Sequence, residues 1–462
     1  MIQAKLVRPG AYDEPGRASS LATLLTPRRL RTYPRIVLIV IAIVVAINVA
    51  GSTGWRGAGG QLLFHDFIIF YGTGMLFHAA PQSLYDFHEQ LSLQRSLIAP
   101  TPMDGTGPFS HPPYVAPLFE PLIAFPLLPA LIVWTVLSCA ALAGAVMLAQ
   151  RLLRKQPWQI VMPTTTFAAI ALSLAPVLFG LYSGQMHSFV LLGTLAVIVF
   201  ALEDKPWHAG AIAGLLAVKP QVALAFLIFF LARRNVRACV AAAIAFAGLN
   251  ALLVSRVGVE TTLSLYSTYL QTTRALVMLP FDAGFPRYLL LTPYGLMSGF
   301  VAPERQGTIL LVANVLAAAA VLWFLIDAWR FRSSEEGTHL ALGRTLLLPS
   351  LVTPYLMLYD AAPLMLSAVL ITPPALPRVA LALGGTVYIG LLIYPVISAA
   401  VAVPLGAVLP LALWVVSTKL ARRPTMSGLA SHASEKSPTW VSHVTADHSV
   451  IEPDTDRLNS TG

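Results

Sequence analysis

The sequence predicts an all-α integral membrane protein: a multispan helical bundle of about ten to twelve transmembrane helices, with long outward loops carrying short helices. Three observations carry this reading. The 462-residue chain is 56% hydrophobic and 11% charged, with a mean hydropathy of +0.72, which excludes an ordinary soluble domain. Apolar runs recur along nearly the whole length and lack the alternating polarity of a β-barrel. The net charge of +9 is carried largely at the ends of those runs, where basic residues set topology, so it is not a nucleic-acid signal.

Taken in order, residues 1–34 read as a flexible cytoplasmic tail that brings in Arg28, Arg29 and Arg31, with Arg35 following. No cleavable signal peptide is evident, and the first apolar run, about 36–51, reads as an uncleaved span. A long loop of about 52–116 follows, with short helices at 65–79 and 84–97. Spans then fall near 127–150, 159–181 and 187–202. The segment 208–232 is split at Lys219-Pro220 into halves that each reach only about 18 Å as helix, so two half-length helices are expected. Further spans near 236–255 and 307–328 flank a second long loop of 256–306. Pro354 and Pro363 break 345–371 into two short helices, and the last spans are about 379–397 and 401–418. The membrane domain is thus 35–419, and residues 420–462, rich in Ser, Thr, His and charge, read as a disordered cytoplasmic tail.

Eighteen Lys and Arg residues fall at one set of boundaries, and six fall in the two long loops. That bias places both termini inside and the long loops outside a plasma (inner) membrane. The two cysteines, Cys139 and Cys239, lie in or beside spans and carry no disulfide or metal signal.

Candidate chemistry concentrates near the outer face. His65-Asp66 lies just beyond the first span, with Tyr71 and His78 further along. Asp66 is read either as a general base that takes a proton from a hydroxyl acceptor or as a helix N-cap. Ser110-His111-Pro112-Pro113-Tyr114 is either a rigid turn or a wall that holds His111 and Tyr114 toward the same cavity. Gln185, in Tyr182-Ser183-Gly184-Gln185-Met186-His187, reads as a sugar or phosphate ligand or as part of a polar interhelical turn. Lys219, between two apolar half-helices, either snorkels to the inner surface or faces a buried phosphate. Tyr359-Asp360 lies in the other broken stretch, where Asp360 orients a sugar hydroxyl or pairs with Arg287 of the second loop, or serves only as a structural ion pair or cap. No Gly-rich phosphate loop, metal-ligand motif or serine nucleophile elbow is present.

The order of these pieces resembles glycosyltransferase family 87. The resemblance runs through Asp66-Phe67 with Phe70-Tyr71, Tyr85-Asp86, Pro112-Pro113-Tyr114, Gly184-Gln185, Ala209-Gly210 through Lys219-Pro220-Gln221, Arg233-Arg234, and Pro354 with Tyr359-Asp360. It covers about residues 36–420. His111 stands where an aromatic residue often precedes the two prolines, and Tyr355 where some members carry His. The resemblance implies a GT-C type membrane glycosyltransferase that uses a polyprenyl-phosphate sugar, mannose by family analogy, and delivers it on the outer side to a glycolipid or glycan acceptor. It maps the family's loop aspartate onto Asp66 as the base of an inverting, single-displacement transfer. Lys219 and Arg287 are the expected phosphate ligands, with Gln185 and Tyr114 assisting, and His65, Tyr71, His111, Tyr359 and Asp360 as further substrate contacts. No metal or other cofactor is expected, because the leaving phosphate diester carries one charge. Two rivals fit the same span pattern: a transporter or flippase of lipid-linked sugars, and a polysaccharide polymerase or ligase.

Overall fold

The computed structural model describes residues 26–103, 107–155, 162–277, 287–330, 334–373 and 376–421. Among these every regular element is a helix or a 3-10 turn. The tail residues 1–25 and 422–462 of the sequence reading lie outside the described residues.

Helix α1 (Pro27–Ala50) starts where Thr26 caps the Arg29 N–H at 3.3 Å and Pro27 presets the first turn. It therefore takes in residues 27–34, assigned by sequence to the tail: the proline that reads as a breaker in isolation is a helix starter at this position. Its 24 residues carry the chain about 36 Å away from the arginine cluster. The outer loop then folds into α2 (His65–Ala79) and α3 (Phe87–Ile98), the latter capped by Asp86 onto the His88 and Glu89 N–H groups.

Helix α4 (Leu127–Lys155) is followed by α5 (Thr164–Leu172) and α6 (Ala175–Ser183), a pair bent by 63° where one span of about 159–181 was expected. Pro176 cannot donate to the ladder, and Ser173 caps its own turn, so the helix breaks there. Helix α1 runs alongside this pair: Arg35 Nη2 donates to Thr165 Oγ1 at 3.2 Å near one end, and Asn48 Nδ2 to the Tyr182 hydroxyl at 2.7 Å near the other.

Helix α7 (His187–Leu202) leads to the split segment, α8 (Pro206–Leu215) and α9 (Pro220–Ala232), joined by a 3-10 turn and by Lys219 in a non-helical conformation. The two half-helices expected from Lys219-Pro220 are present. The helical stretch α10 (Val236–Val277) is two helices joined at a kink, where Gly258 is non-helical with φ 77° and ψ 170°. The first ends close to the boundary expected near 255, and the second runs through residues read as loop. Arg256, just before the kink, is anchored to Glu120, which also meets His78 Nδ1 at 2.8 Å. Helices α8 and α10 pack backbone to backbone. A Cβ on Gly210 would lie 2.1 Å from the Ala238 oxygen, and one on Gly214 2.3 Å from the Ala242 oxygen.

The remaining elements are α11 (Pro293–Ser298), α12 (Gln306–Arg330), α13 (Glu335–Thr345), α14 (Leu348–Val352), α15 (Pro363–Leu370), α16 (Pro377–Val401) and α17 (Val408–Ala421). By length and apolarity, α1, α4, α10, α12 and α16 suffice to cross a membrane, and α5–α6 makes a sixth if the bent pair is one span. Five further apolar helices of 10–17 residues account for the larger number expected from the sequence. The chain is an all-α multispan membrane protein. Its shorter helices are broken, and the break at Lys219 is buried within the bundle.

Candidate active site

Asp66 is the second residue of α2. The preceding Phe64 adopts φ 51°, a left-handed turn, and caps the helix without any side-chain bond. Asp66 is therefore not the N-cap; its carboxylate is used elsewhere. Oδ1 meets His65 Nε2 at 2.9 Å, and Oδ2 accepts from Gln185 Nε2 at 3.1 Å. The Asp66 side chain is only 11% exposed, against 44% for His65. Burial pushes the Asp66 carboxyl up, but the His65 charge and hydrogen bond, with Ser183 and Lys219, outweigh it and hold the group below its ordinary value. For His65 burial acts downward and Asp66 upward, and the carboxylate prevails.

Gln185 reaches Asp66 because of Gly184. That residue closes α6 with φ 75°, and a Cβ there would lie 2.6 Å from Phe67 Cβ on α2. Trp134 Nε1 donates to the Gly184 carbonyl at 2.8 Å and pins the turn from α4. The turn and α2 can approach this closely only over a glycine.

The second half of the site comes from the two broken segments. Lys219 is 4% exposed and does not snorkel. Its Nζ donates to Asp360 Oδ1 at 2.8 Å and Oδ2 at 3.1 Å, and lies 4.6 Å from the centre of the Tyr359 ring. Asp360 thus pairs with Lys219, not with the Arg287 proposed as its partner from sequence. Arg287 is buried in the turn Arg287–Leu289, tied to the Tyr359 segment by the Leu291 N–H donating to the Leu356 carbonyl at 2.9 Å. Lys219 is nearer because Pro220 aims the break in α8–α9 at that segment. The Tyr359 phenol shares a hydrogen bond with Gln185 and joins the two halves. Its ring stacks on Phe179 at 6.2 Å.

His111 is half-buried, its Nδ1 3.3 Å from the Val218 carbonyl and its ring 5.7 Å from Phe70. Burial, reinforced by the Lys219 charge, lowers its pKa to about 3, so it stays neutral. Tyr114 donates to the Ala217 carbonyl at 2.9 Å, holding the turn before Lys219. Tyr71 spends its hydroxyl on the Phe125 carbonyl at 2.9 Å. Sequence reasoning missed Ser183 and His187, although both lie in the turn it singled out. His187 also lines a cavity of about 30 Å³ beside Tyr359 and Asp360, with Thr194, Phe226 and Thr345.

A buried carboxylate with an imidazole partner is linked, through Gln185 and Tyr359, to the segment whose Asp360 pairs with a buried ammonium. The model of glycosyltransferase family 87 matches residues 109–354, more than half of the chain. The chain belongs to glycosyltransferase family 87. The matched stretch holds His111, Tyr114, Gln185, Lys219 and Arg287, while Asp66 and Tyr359-Asp360 flank it on either side. The chain is also 30% identical over 168 residues to a polyprenol-phosphate-mannose-dependent alpha-(1-2)-phosphatidylinositol pentamannoside mannosyltransferase of Mycolicibacterium smegmatis. That alignment covers 36% of this chain and 38% of the relative's length. No solved structure matches.

Proposed function

We propose that this chain is a membrane glycosyltransferase that moves a hexose, mannose by its relative's name, from a polyprenyl-phosphate sugar to a hydroxyl of a glycolipid or glycan on the outer face. The observation that carries this is the juxtaposition of Asp66 with Lys219. The first is a carboxylate kept ionised by His65 and Gln185; the second is a desolvated cation whose charge acts on Asp66. Asp66 accepts the acceptor's proton while its oxygen attacks the anomeric carbon from the face opposite the phosphate. The phosphate leaves with its charge and is met by Lys219, with Arg287 and the Gln185 amide as further donors. The donor phosphate competes with Asp360 for Lys219, which frees Asp360 to accept from a sugar hydroxyl. The arginine cluster at the start of α1, with the Asp66 loop beyond its other end, supports the outer face. The same reading, from the bias of Lys and Arg in the sequence, puts both termini in the cytoplasm and the chain in a plasma (inner) membrane.

The test is sugar transfer by purified protein in detergent, with polyprenyl-phosphate mannose and a lipid acceptor extract, wild type beside Asp66→Asn. Release of polyprenyl phosphate with a new glycoside, lost in the variant, supports the transferase and its base. Transfer by both keeps the transferase and removes Asp66 from the base role. Donor binding without transfer by either favours a transporter of lipid-linked sugars, which needs a sealed compartment to act.

A further inference from the structure

We propose that His65 is the proton exit of the site, carrying the proton accepted by Asp66 out to water. The inference rests on Asp66 as the base. A buried base that takes a proton each turnover must lose it before the next, and Asp66 is closed off on most sides. Gln185 occupies one carboxylate oxygen, Phe67 is fully buried next to it in sequence, and Phe64 packs on Tyr182 at 6.3 Å. The ionisable groups whose charge interactions reach Asp66 are Lys219, His111, His187, Tyr355, Tyr359 and Asp360. Lys219, His187 and Tyr359 are buried, His111, Tyr355 and Asp360 are half-buried, and Lys219 is bound by Asp360. His65 differs in two respects. Its Nε2 is 2.9 Å from Asp66 Oδ1, and 44% of its side chain is open. The left-handed turn at Phe64 is what presents consecutive residues this way, one at the rim and one inside.

The step balances without a further reactant. The acceptor O–H bond breaks as its oxygen bonds to the anomeric carbon, and the bond from that carbon to the phosphate oxygen breaks with its electron pair staying on the phosphate. The proton goes to Asp66; the imidazole, which exchanges protons with water along its open edge, then takes that proton at an unprotonated Nε2, the resulting imidazolium releases its Nδ1 proton to water, and exchange with water restores the accepting tautomer. His65 touches neither sugar; it acts through Asp66.

This assigns the acid limb of the pH profile. Asp66 is held below its ordinary value by His65, Ser183 and Lys219 against its burial. His65, held above 6.5, must be neutral to take the proton, so turnover falls as the pH drops through its raised pKa. The experiment compares wild type, His65→Gln, His65→Ala and Asp66→Asn in steady-state transfer between pH 5 and 9. Gln keeps a hydrogen-bond donor but cannot titrate. The expected result is kcat lower by about tenfold or more in both His65 variants, part of the about 10²–10⁴ that acid–base catalysis supplies, with donor KM unchanged. The acid limb above pH 6.5 is lost in His65→Gln, and imidazole added to the buffer restores His65→Ala in proportion to its concentration. Wild-type kcat and an unchanged acid limb in His65→Gln overturn the relay, as does a loss in His65→Ala that imidazole does not restore. If Asp66→Asn retains full activity, the base reading itself fails; if Asp66→Asn is inactive while His65→Gln is unchanged, only the relay fails.

Discussion

Two buried cations in this bundle are each paired with a carboxylate, and their surroundings set them apart. Arg344 on α13 pairs with Asp327 on α12, donates from Nε to Ser417 Oγ on α17 at 2.9 Å, and lies 5.7 Å from the Trp414 ring. Asp327 and Ser417 sit within a turn of Arg330 and Lys419, at the basic ends of their helices. Three regular helices are braced by one side chain, whose contacts beyond Asp327 include a hydroxyl and a ring. Lys219 instead stands at a helix break, and its pair with Asp360 runs through Tyr359 and Gln185 into Asp66 and His65. The ion-pair chemistry is the same. What differs is the backbone that delivers it and the titratable groups it is wired to, and that difference is the argument for one being a site and the other a brace.

The largest expected effect lies at the end of that wiring. Asp66→Asn keeps the size and the hydrogen bond to Gln185 but removes the base, and transfer should fall by about 10²–10⁴-fold in kcat with little change in thermal stability. The comparison breaks if the variant loses its fold instead, because Asp66 would then be a structural group like Asp327.

Next come the pairs themselves. Lys219→Met and Arg344→Met each leave a buried carboxylate unpaired, a loss of about 3–5 kcal/mol. The double variants Lys219→Met with Asp360→Leu, and Arg344→Met with Asp327→Leu, remove both charges and should recover most of that stability. Activity per folded molecule should return in the Arg344 pair and stay lost in the Lys219 pair. Denaturation midpoints beside turnover numbers separate the two, and recovery of both properties in the Lys219 double variant would make it a brace as well.

A smaller effect is expected at the turn that joins the halves. Gly184→Ala adds a methyl 2.6 Å from Phe67 Cβ at a residue with φ 75°. The strain should cost about 1–3 kcal/mol and push α2 and the turn apart, so the Gln185–Asp66 bond lengthens and kcat drops more than KM rises. An alanine variant with wild-type stability and rate would show that the turn does not set the position of Asp66.

Much of the fold is legible in the sequence. Apolar runs and prolines gave α7 to the residue, the split at Lys219-Pro220 and the break before Pro363, because a proline in hydrocarbon has few places to go. The candidate residues His65, Asp66, Gln185, Lys219, Tyr359 and Asp360 stand out in the sequence because they are polar groups in an apolar chain. Their partners do not. That Asp360 meets Lys219 across 141 residues depends on how two half-helices pack, which no local signal encodes. The second half of α10 is hidden for a related reason: the break at Gly258 among polar residues reads as the start of a loop, whereas a helix resumes beyond it.

Tyr71 tests the comparison from the opposite side, with the smallest effect. It lies five residues beyond Asp66 on the same helix, and by sequence it was a candidate sugar contact. Its hydroxyl donates to the Phe125 carbonyl, tying α2 to the residues before α4, and its ring is 6% exposed within the aromatic packing around Phe67. A group already bonded this way has no donor left to offer a sugar. Tyr71→Phe should therefore lose about 0.5–1.5 kcal/mol of stability, the net value of one hydrogen bond, with kcat and both KM values unchanged. A clear rise in acceptor KM with stability intact would mean that the hydroxyl leaves Phe125 when substrate arrives, and that the site extends along α2 beyond its first turn.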